Sequence, residues 1–259
     1  MSPDEHPGNW LRLDPRARFV FVRNYYLNEL SAQNDPNVHV RLHIEPLDDP
    51  GPPPPLSDAT FSSRLRDATA FLHAGTLGLR LFDADSTVPF SSNELNTVGT
   101  PWSFRNANID AAGAVDIFYS SGRFDLAPGK ALVMEGTLPE GEFVNVMLWN
   151  VHMQTLEYRF RRCSLNETQM QLDSERGYRI VISAEDPGVP NWLDTGGLQR
   201  GWLLYRWLKT EIRPTARARL VRTDELSGLL PADHPKIAPQ ERARAVKARA
   251  VSIARRFQQ

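Results

Sequence analysis

The stretch "EDPGVPNWLDTGGLQRGWLLYRWL", Glu185 to Leu208, holds three of the chain's six tryptophans, two prolines and four glycines in twenty-four residues. Its first half is turn chemistry. Asn191 and Asp194 can bond their own nearby backbone, and Gly196 and Gly197 admit positive φ without a Cβ penalty. Its second half, "GWLLYRWL", is too short to cross a bilayer and is interrupted by Arg206, so it reads as a strand. A glycine corner feeding an apolar strand is what closes one end of a β-sandwich.

The segments upstream agree. "VDIFYSS", "ALVMEGTL", "EFVNVMLWN", "EYRFRRCSL" and "YRIVISA", then "ARARLVRT" after the corner, are short β-branched and aromatic runs. Turns at "APGK", "PEGE" and "ERG" separate several of them, the spacing of an antiparallel sandwich or jelly roll. "FVNVMLWN" is apolar on both parities, Phe143, Met147 and Trp149 against Val144, Val146 and Leu148, and should lie centrally with both faces covered. Nearer the N-terminus, Arg16 to Glu29 is strand-like. "VHVRLHIEPL" alternates strictly, so an antiparallel pair is expected, with His39 and His43 on a solvated face beside Arg41.

Helices flank these strands. "DDPGPPPPLSD" is a stiff connector without donors. After it, Phe61, Leu65, Ala68 and Leu72 recur at helical spacing behind the cap candidates Ser57 and Asp58, and this helix is expected to cover one face of the strands. At the C-terminus Pro239 suits a first helical turn. Val246, Ala250, Ile253 and Phe257 form an apolar stripe expected to dock, with basic solvated faces elsewhere. Pro89 to Asp110 is a long loop whose Trp102 and Phe104 argue for order and make it a candidate site wall. The expected architecture is mainly β with flanking helices: an antiparallel β-sandwich, jelly-roll-like, with one early helix and a C-terminal amphipathic helix. Its divisions are a strand pair and connector (1–56), a helix and long loop (57–112), the sandwich (113–226) and a tether with a basic helix (227–259). Residues 57–226 should form one compact unit.

Composition excludes several partners. A chain of 259 residues, 41% hydrophobic and 24% charged, is globular, and 30 Lys plus Arg against 31 Asp plus Glu give no field to gather nucleic acid or anionic membrane. The lone Cys163 can make neither an intramolecular disulfide nor a thiolate zinc cluster, and the polar, acidic N-terminus is unlike a secretory signal. The expectation is a cytoplasmic protein that could form a homo-oligomer through its last helix.

"FVNVMLWN", "RGYRIVIS" and above all "PNWLDTGGLQRGWLLYRW" resemble the C-terminal signature of the family catalogued as domain of unknown function 1214, in which an Asn-Trp-Leu motif precedes a strand ending in arginine plus an aromatic. "GRFDLAPGKALVMEGTLP" is similar to its upstream part in one bacterial subgroup. The resemblance implies a jelly-roll-like β-sandwich and brings no assigned reaction, cofactor or catalytic residue. Asp194 stands where many members have proline.

The residues that could act chemically follow from parity and environment. Glu135 shares parity with Ala131 and Val133. It is a general-acid candidate if hydrocarbon raises its pKa, or a paired acid at a strand end. His152, beyond the "LWN" strand, could serve as a base, with Tyr158 as a further proton donor. Asn191, Trp192 and Asp194 could equally build the turn or bind a sugar or planar ligand, with Trp102 and Trp149 as further aromatic walls. Arg206 shares parity with Trp202, Leu204 and Leu208, so its charge needs a partner: Asp194 or Asp186 in a structural ion pair, or the carboxylate of a substrate. Cys163 between Arg161 and Arg162 is either activated or simply buried. No phosphate-loop, dinucleotide, serine-hydrolase or zinc-protease motif occurs. These residues favour a small-molecule or glycan-binding protein, with acid and base chemistry from Glu135, His152 and Asp194. The rival reading is a non-catalytic interaction module, and no cofactor or metal is expected.

Overall fold

The computed structural model describes residues 20, 22–28, 43, 45, 49, 51–76, 82–85, 89–106, 114–231 and 234–257. Among the described residues its named α-helices are α1 (Asp58–Thr76), α2 (Leu226–Leu229) and α3 (Pro239–Phe257). Ten strands lie between α1 and α2: β1 (Ser91–Leu95), β2 (Trp102–Ser103), β3 (Ile117–Asp125), β4 (Lys130–Thr137), β5 (Phe143–Trp149), β6 (Ser164–Asn166), β7 (Gly177–Ser183), β8 (Trp192–Asp194), β9 (Arg200–Leu208) and β10 (Ala216–Arg222). They form two open sheets. The larger runs β1-β3-β9-β5-β6 with β2 also on β3, and the smaller runs β10-β4-β7-β8. Pairing is antiparallel except β1 with β3 and β7 with β8.

The two sheets feed one core. Val144, Val146 and Leu148 of β5 and Leu203, Tyr205 and Trp207 of β9 pack in the same cluster as Leu132 and Met134 of β4 and Ile180 and Ile182 of β7. Period two places these alternate residues on the facing sides of the sheets. Each fully buried aliphatic side chain contributes about 1.5–3 kcal/mol of transfer free energy. Tyr205 and Trp207 stack at 3.9 Å.

The opposite faces are covered as well. On the small sheet, Ala131, Val133, Val181, Trp192 and Val221 pack under Leu226, Leu229 and Leu230. On the large sheet, Ile117, Tyr119 and Leu204 lie beneath Phe90 and Phe104. That cover comes from the loop read as irregular, which contributes β1 and β2 and orders its aromatics around Phe90, Trp102, Phe104 and Tyr119 at centroid distances of 4.8–6.4 Å. Residues 107–110 of the loop lie outside the described residues.

Four expectations change. First, α1 covers neither sheet: Phe61, Leu65 and Leu72 are 56%, 58% and 66% exposed, because the face it was to cover is occupied by the aromatic loop. Secondly, residues 22–28 join no sheet, and most of the expected partner strand lies outside the described residues. Thirdly, "EYRFRRCSL" yields a strand only at its end, because Tyr158 and Arg161 close turns onto Leu156 and Glu157. Fourthly, α3 docks through arginines as well as its apolar stripe. Arg242, Arg249, Ser252 and Ile253 are buried, whereas Val246 is only half-buried and the Phe257 side chain lies outside the described residues. Spacings of three, four and seven put these four on one helical face.

Candidate functional site

Across the outer face of the large sheet, antiparallel register lines up five side chains from five strands. Trp102 on β2 stands opposite Tyr119 on β3, Tyr119 opposite Arg206 on β9, Arg206 opposite Asn145 on β5, and Asn145 opposite Asn166 on β6. Directly opposed residues share a face, with Cβ atoms about 5 Å apart. A polar row therefore crosses an otherwise apolar surface.

Arg206 is half-buried in this row. Among the described residues its Nη1 reaches the Met147 sulfur, at 3.5 Å, and its guanidinium carbon lies 5.9 Å from the centre of the Trp149 ring. Neither contact neutralises a charge. Burial pushes the guanidinium below its usual pKa; Tyr119 and Tyr25 pull it back in part, and Arg23 adds a smaller like-charge repulsion. Arg123, Arg179, Arg200, Arg242 and Arg249, by contrast, each reach a carboxylate or a backbone carbonyl. Near Arg206, Trp149 Nε1 and Asn145 Oδ1 are buried with no hydrogen-bond partner among the described residues.

Asn166 ends the row differently. Its Nδ2 donates to the carbonyls of Tyr26 and Leu27, which ties residues 22–28 across β6, and Tyr25 packs on Phe143 at 5.0 Å. Between that segment, the sheet and α3 opens a cleft of about 130 Å³, lined by Tyr26, Asn145, Ser164, Asn166, Gln169 and Arg249. Arg249 is anchored there by bonds to the Tyr158 carbonyl, 2.7 Å, and Ser164 Oγ, 3.1 Å.

The residues suggested by sequence are therefore divided. Trp102, Trp149 and Arg206 meet on this face. Asn191, Trp192 and Asp194 belong to the small sheet and act as its frame. Asn191 is fully buried, its amide clasping the Gln171 backbone with two bonds of 2.7 Å. Trp192 is also buried, donates to Ser183 Oγ at 3.0 Å and lies under Arg242 at 5.1 Å, so it shares no cavity with Trp102. Asp194 bonds Arg161 at 2.9 Å and the Gly196 N–H at 2.7 Å, while Gly196 and Gly197 take the positive φ that turn requires. Asp186 holds Arg242 with bonds of 2.9 and 3.0 Å. Neither acid is left for Arg206, and the ion pair expected there is replaced by these two.

The acid and base candidates do not converge. Glu135 is a paired acid on the outer face of the small sheet, 3.1 Å from Arg179 and 3.6 Å from Arg219. Its register partner Arg179 is four residues along β7 from Ser183, the partner of Asp194, about 13 Å of strand. His152 is exposed in a turn on the other sheet, its N–H bonded to Asn150 Oδ1, and Tyr158 is exposed. Cys163 is buried, and burial pushes its thiol up to about 11 although Arg249 pulls the other way. It is no activated nucleophile. Among the described residues no cluster of three or more His, Cys, Asp or Glu could hold a metal, and no helix is long and apolar enough to cross a membrane.

Sequence reasoning missed Tyr119, Asn145, Asn166 and Arg249. A signal existed for Asn145, a polar residue on the parity of Phe143, Met147 and Trp149 in an otherwise apolar strand.

No protein-family model matches the chain, and no curated protein matches it. Solved structures do. An uncharacterised protein from Burkholderia cenocepacia is 29% identical over 51% of this chain and 36% of its own, with a TM-score of 0.47. The VPA0106 protein from Vibrio parahaemolyticus is 17% identical over 64% of this chain and 46% of its own, with a TM-score of 0.34. The chain thus spans less than half the length of either protein.

Proposed function

We propose that the protein is a cytoplasmic β-sandwich of jelly-roll type, related to the family of unknown function 1214, that binds a small molecule or glycan on the outer face of its larger sheet. The sandwich reading is supported by the single core drawn from both sheets. The binding reading rests on one observation: on the face that carries Arg206, the buried Trp149 Nε1 and Asn145 Oδ1 lack hydrogen-bond partners, and Asn145 lines a cleft. Buried polar groups are nearly always bonded, so two unpartnered polar atoms on one face favour a missing occupant. The reading is of a binder and not of an acid–base enzyme, since Glu135, His152 and Asp194 stand apart.

The test is a thermal-shift and tryptophan-fluorescence screen of sugars, acids and planar heterocycles. Compounds that bind the parent should lose their response in Asn145→Leu and Arg206→Leu and keep it in Glu135→Gln. Binders indifferent to both site variants would refute the assignment. The interaction-module reading has one observation in its favour, the exposed Phe61, Leu65 and Leu72 of α1. It predicts that Leu65→Glu abolishes partner capture and leaves the ligand screen unchanged.

A further inference from the structure

β10 ends the smaller sheet, with β4 on one side and no strand on the other among the described residues. We propose that this free edge binds an extended acidic peptide, which adds a strand to the sheet in antiparallel pairing and sets its carboxylates against Arg217 and Arg219. The surface lies on the other sheet from Arg206 and is independent of the ligand reading above.

In an antiparallel ladder alternate residues bond the neighbouring strand and the ones between point away from it. The Thr223 N–H donates to the Gly129 carbonyl at 2.9 Å, one step beyond the opposed pair Arg222 and Lys130, so Val221, Arg219 and Arg217 bond toward β4. Ala216, Ala218, Leu220 and Arg222 therefore turn their N–H and C=O groups outward. Arg222 agrees with this phase, since its N–H leaves the ladder and donates to Glu225 Oε2 at 3.1 Å. The outward backbone groups of Ala216, Ala218 and Leu220 have no partner among the described residues. They recur every second residue, about 6.8 Å apart, the spacing that an added strand bonds.

The other edges are short, covered or irregular. β8 has three residues, and the Asp194 N–H is taken by the Arg162 carbonyl. β6 also has three, and Asn166 ties the Tyr26 and Leu27 carbonyls beside it. β1 meets β3 through a register shift. β10, by contrast, keeps register with β4 over seven consecutive residues. Sheet edges are usually protected by bulges, proline, short length or charge. Of these β10 carries only charge, which excludes some partners and attracts others.

That charge selects the occupant. Arg217, Glu135 and Arg179 form one row across β10, β4 and β7. Glu135 bonds Arg179 at 3.1 Å and lies 3.6 Å from Arg219, whereas Arg217 has no ion pair among the described residues. Three arginines thus share one carboxylate. Opposite charges facing each other across strands stabilise the pair, and like charges destabilise it. A second copy of β10 would set Arg217 against Arg219 or Arg219 against itself, so this edge disfavours its own copy. On the alternate parity lie Ala216, Ala218 and Leu220, the last 44% exposed, an apolar flank for aliphatic side chains. The sequence that fits alternates acidic and apolar residues.

Fluorescence anisotropy of the full chain with labelled peptides tests the proposal. VDVEVDV should bind, VKVKVKV should not, and VVVVDED, of the same composition without alternation, should bind at least about tenfold more weakly than VDVEVDV, because it cannot match both faces of the edge. N-methylation of the valines, whose amides meet β10 in an antiparallel pair, should abolish binding, and N-methylation of the acids should leave it intact. Arg217→Glu with Arg219→Glu should weaken VDVEVDV at least about tenfold. Ala218→Pro, which removes an outward N–H and no bond to β4, should abolish binding.

Failure of VDVEVDV to bind would overturn the proposal, as would equal binding of VVVVDED or equal effects of the two methylations, which would reduce the interaction to unspecific charge attraction. A dimer in sedimentation that Ala218→Pro dissociates would also overturn it, by giving the edge to a second copy. If circular dichroism shows Ala218→Pro unfolded, the methylated peptides on the parent protein and the arginine variant decide alone.

Discussion

Arg206 on β9 stands directly opposite Asn145 on β5, and Asp194, an acid that sequence parity suggested as its partner, bonds Arg161 on the other side of the molecule. An arginine that faces an amide and an indole instead of a carboxylate carries a desolvation cost that only a cation–π contact and the neighbouring Tyr119 and Tyr25 offset. Several consequences can be measured.

Arg206→Leu should leave stability unchanged or raise it by up to about 1 kcal/mol, because it removes a half-buried charge that no carboxylate among the described residues pairs with. Its effect should add to that of Asp194→Asn within about 0.5 kcal/mol, as for sites without shared partners. Urea unfolding of the parent, both single variants and the double variant measures this. A loss above about 3 kcal/mol in Arg206→Leu, or strong coupling to Asp194, would restore the structural ion pair.

Arg242 is the arginine whose loss should be costly. Its side chain is 8% exposed, bonds Asp186 twice and the Val189 and Pro190 carbonyls, and lies over Trp192, whereas the Asp186 side chain is 33% exposed. Breaking a buried pair costs about 3–5 kcal/mol, and the partial exposure of Asp186 sets the expectation for Arg242→Leu at the low end. Truncation after Pro235 should give a similar loss, with the Trp192 emission shifted to the red as its cover departs. Wild-type unfolding midpoints in both variants would show that α3 is not docked as described.

Glu167 sets a pH dependence. Burial raises its carboxyl above the ordinary value of 4.5, while its Oε2 accepts the Val144 N–H at 2.8 Å. With the folded pKa above the unfolded one, the folded state holds more protons between the two values, so stability falls as pH rises through that window. Glu167→Gln keeps an acceptor for Val144 and removes the titration. Its stability relative to the parent should therefore increase from pH 4 to pH 7. A difference that stays constant across that range would exclude Glu167 as the cause.

Local chemistry by itself determined the identity of most elements. Short β-branched and aromatic runs marked β4, β5, β7, β9 and β10, Pro239 marked the start of α3, and Gly196 with Gly197 marked the corner, because side-chain type, fixed φ and positive φ are properties of a few adjacent residues. Parity also placed Arg206 on the face of Leu204 and Leu208. What parity cannot encode is which strand lies alongside. β3 and β9 are about eighty residues apart, and only the packing of Leu203, Tyr205 and Trp207 into the common core brings Tyr119 and Asn145 to the two sides of Arg206. The same non-local packing gave Asp194 to Arg161 and Asp186 to Arg242, turned two arginines of a basic helix inward and left α1 without a sheet to cover. Side-chain direction follows from the backbone's own pleat, whereas strand register and ion-pair choice follow from burying surfaces that lie far apart in the chain.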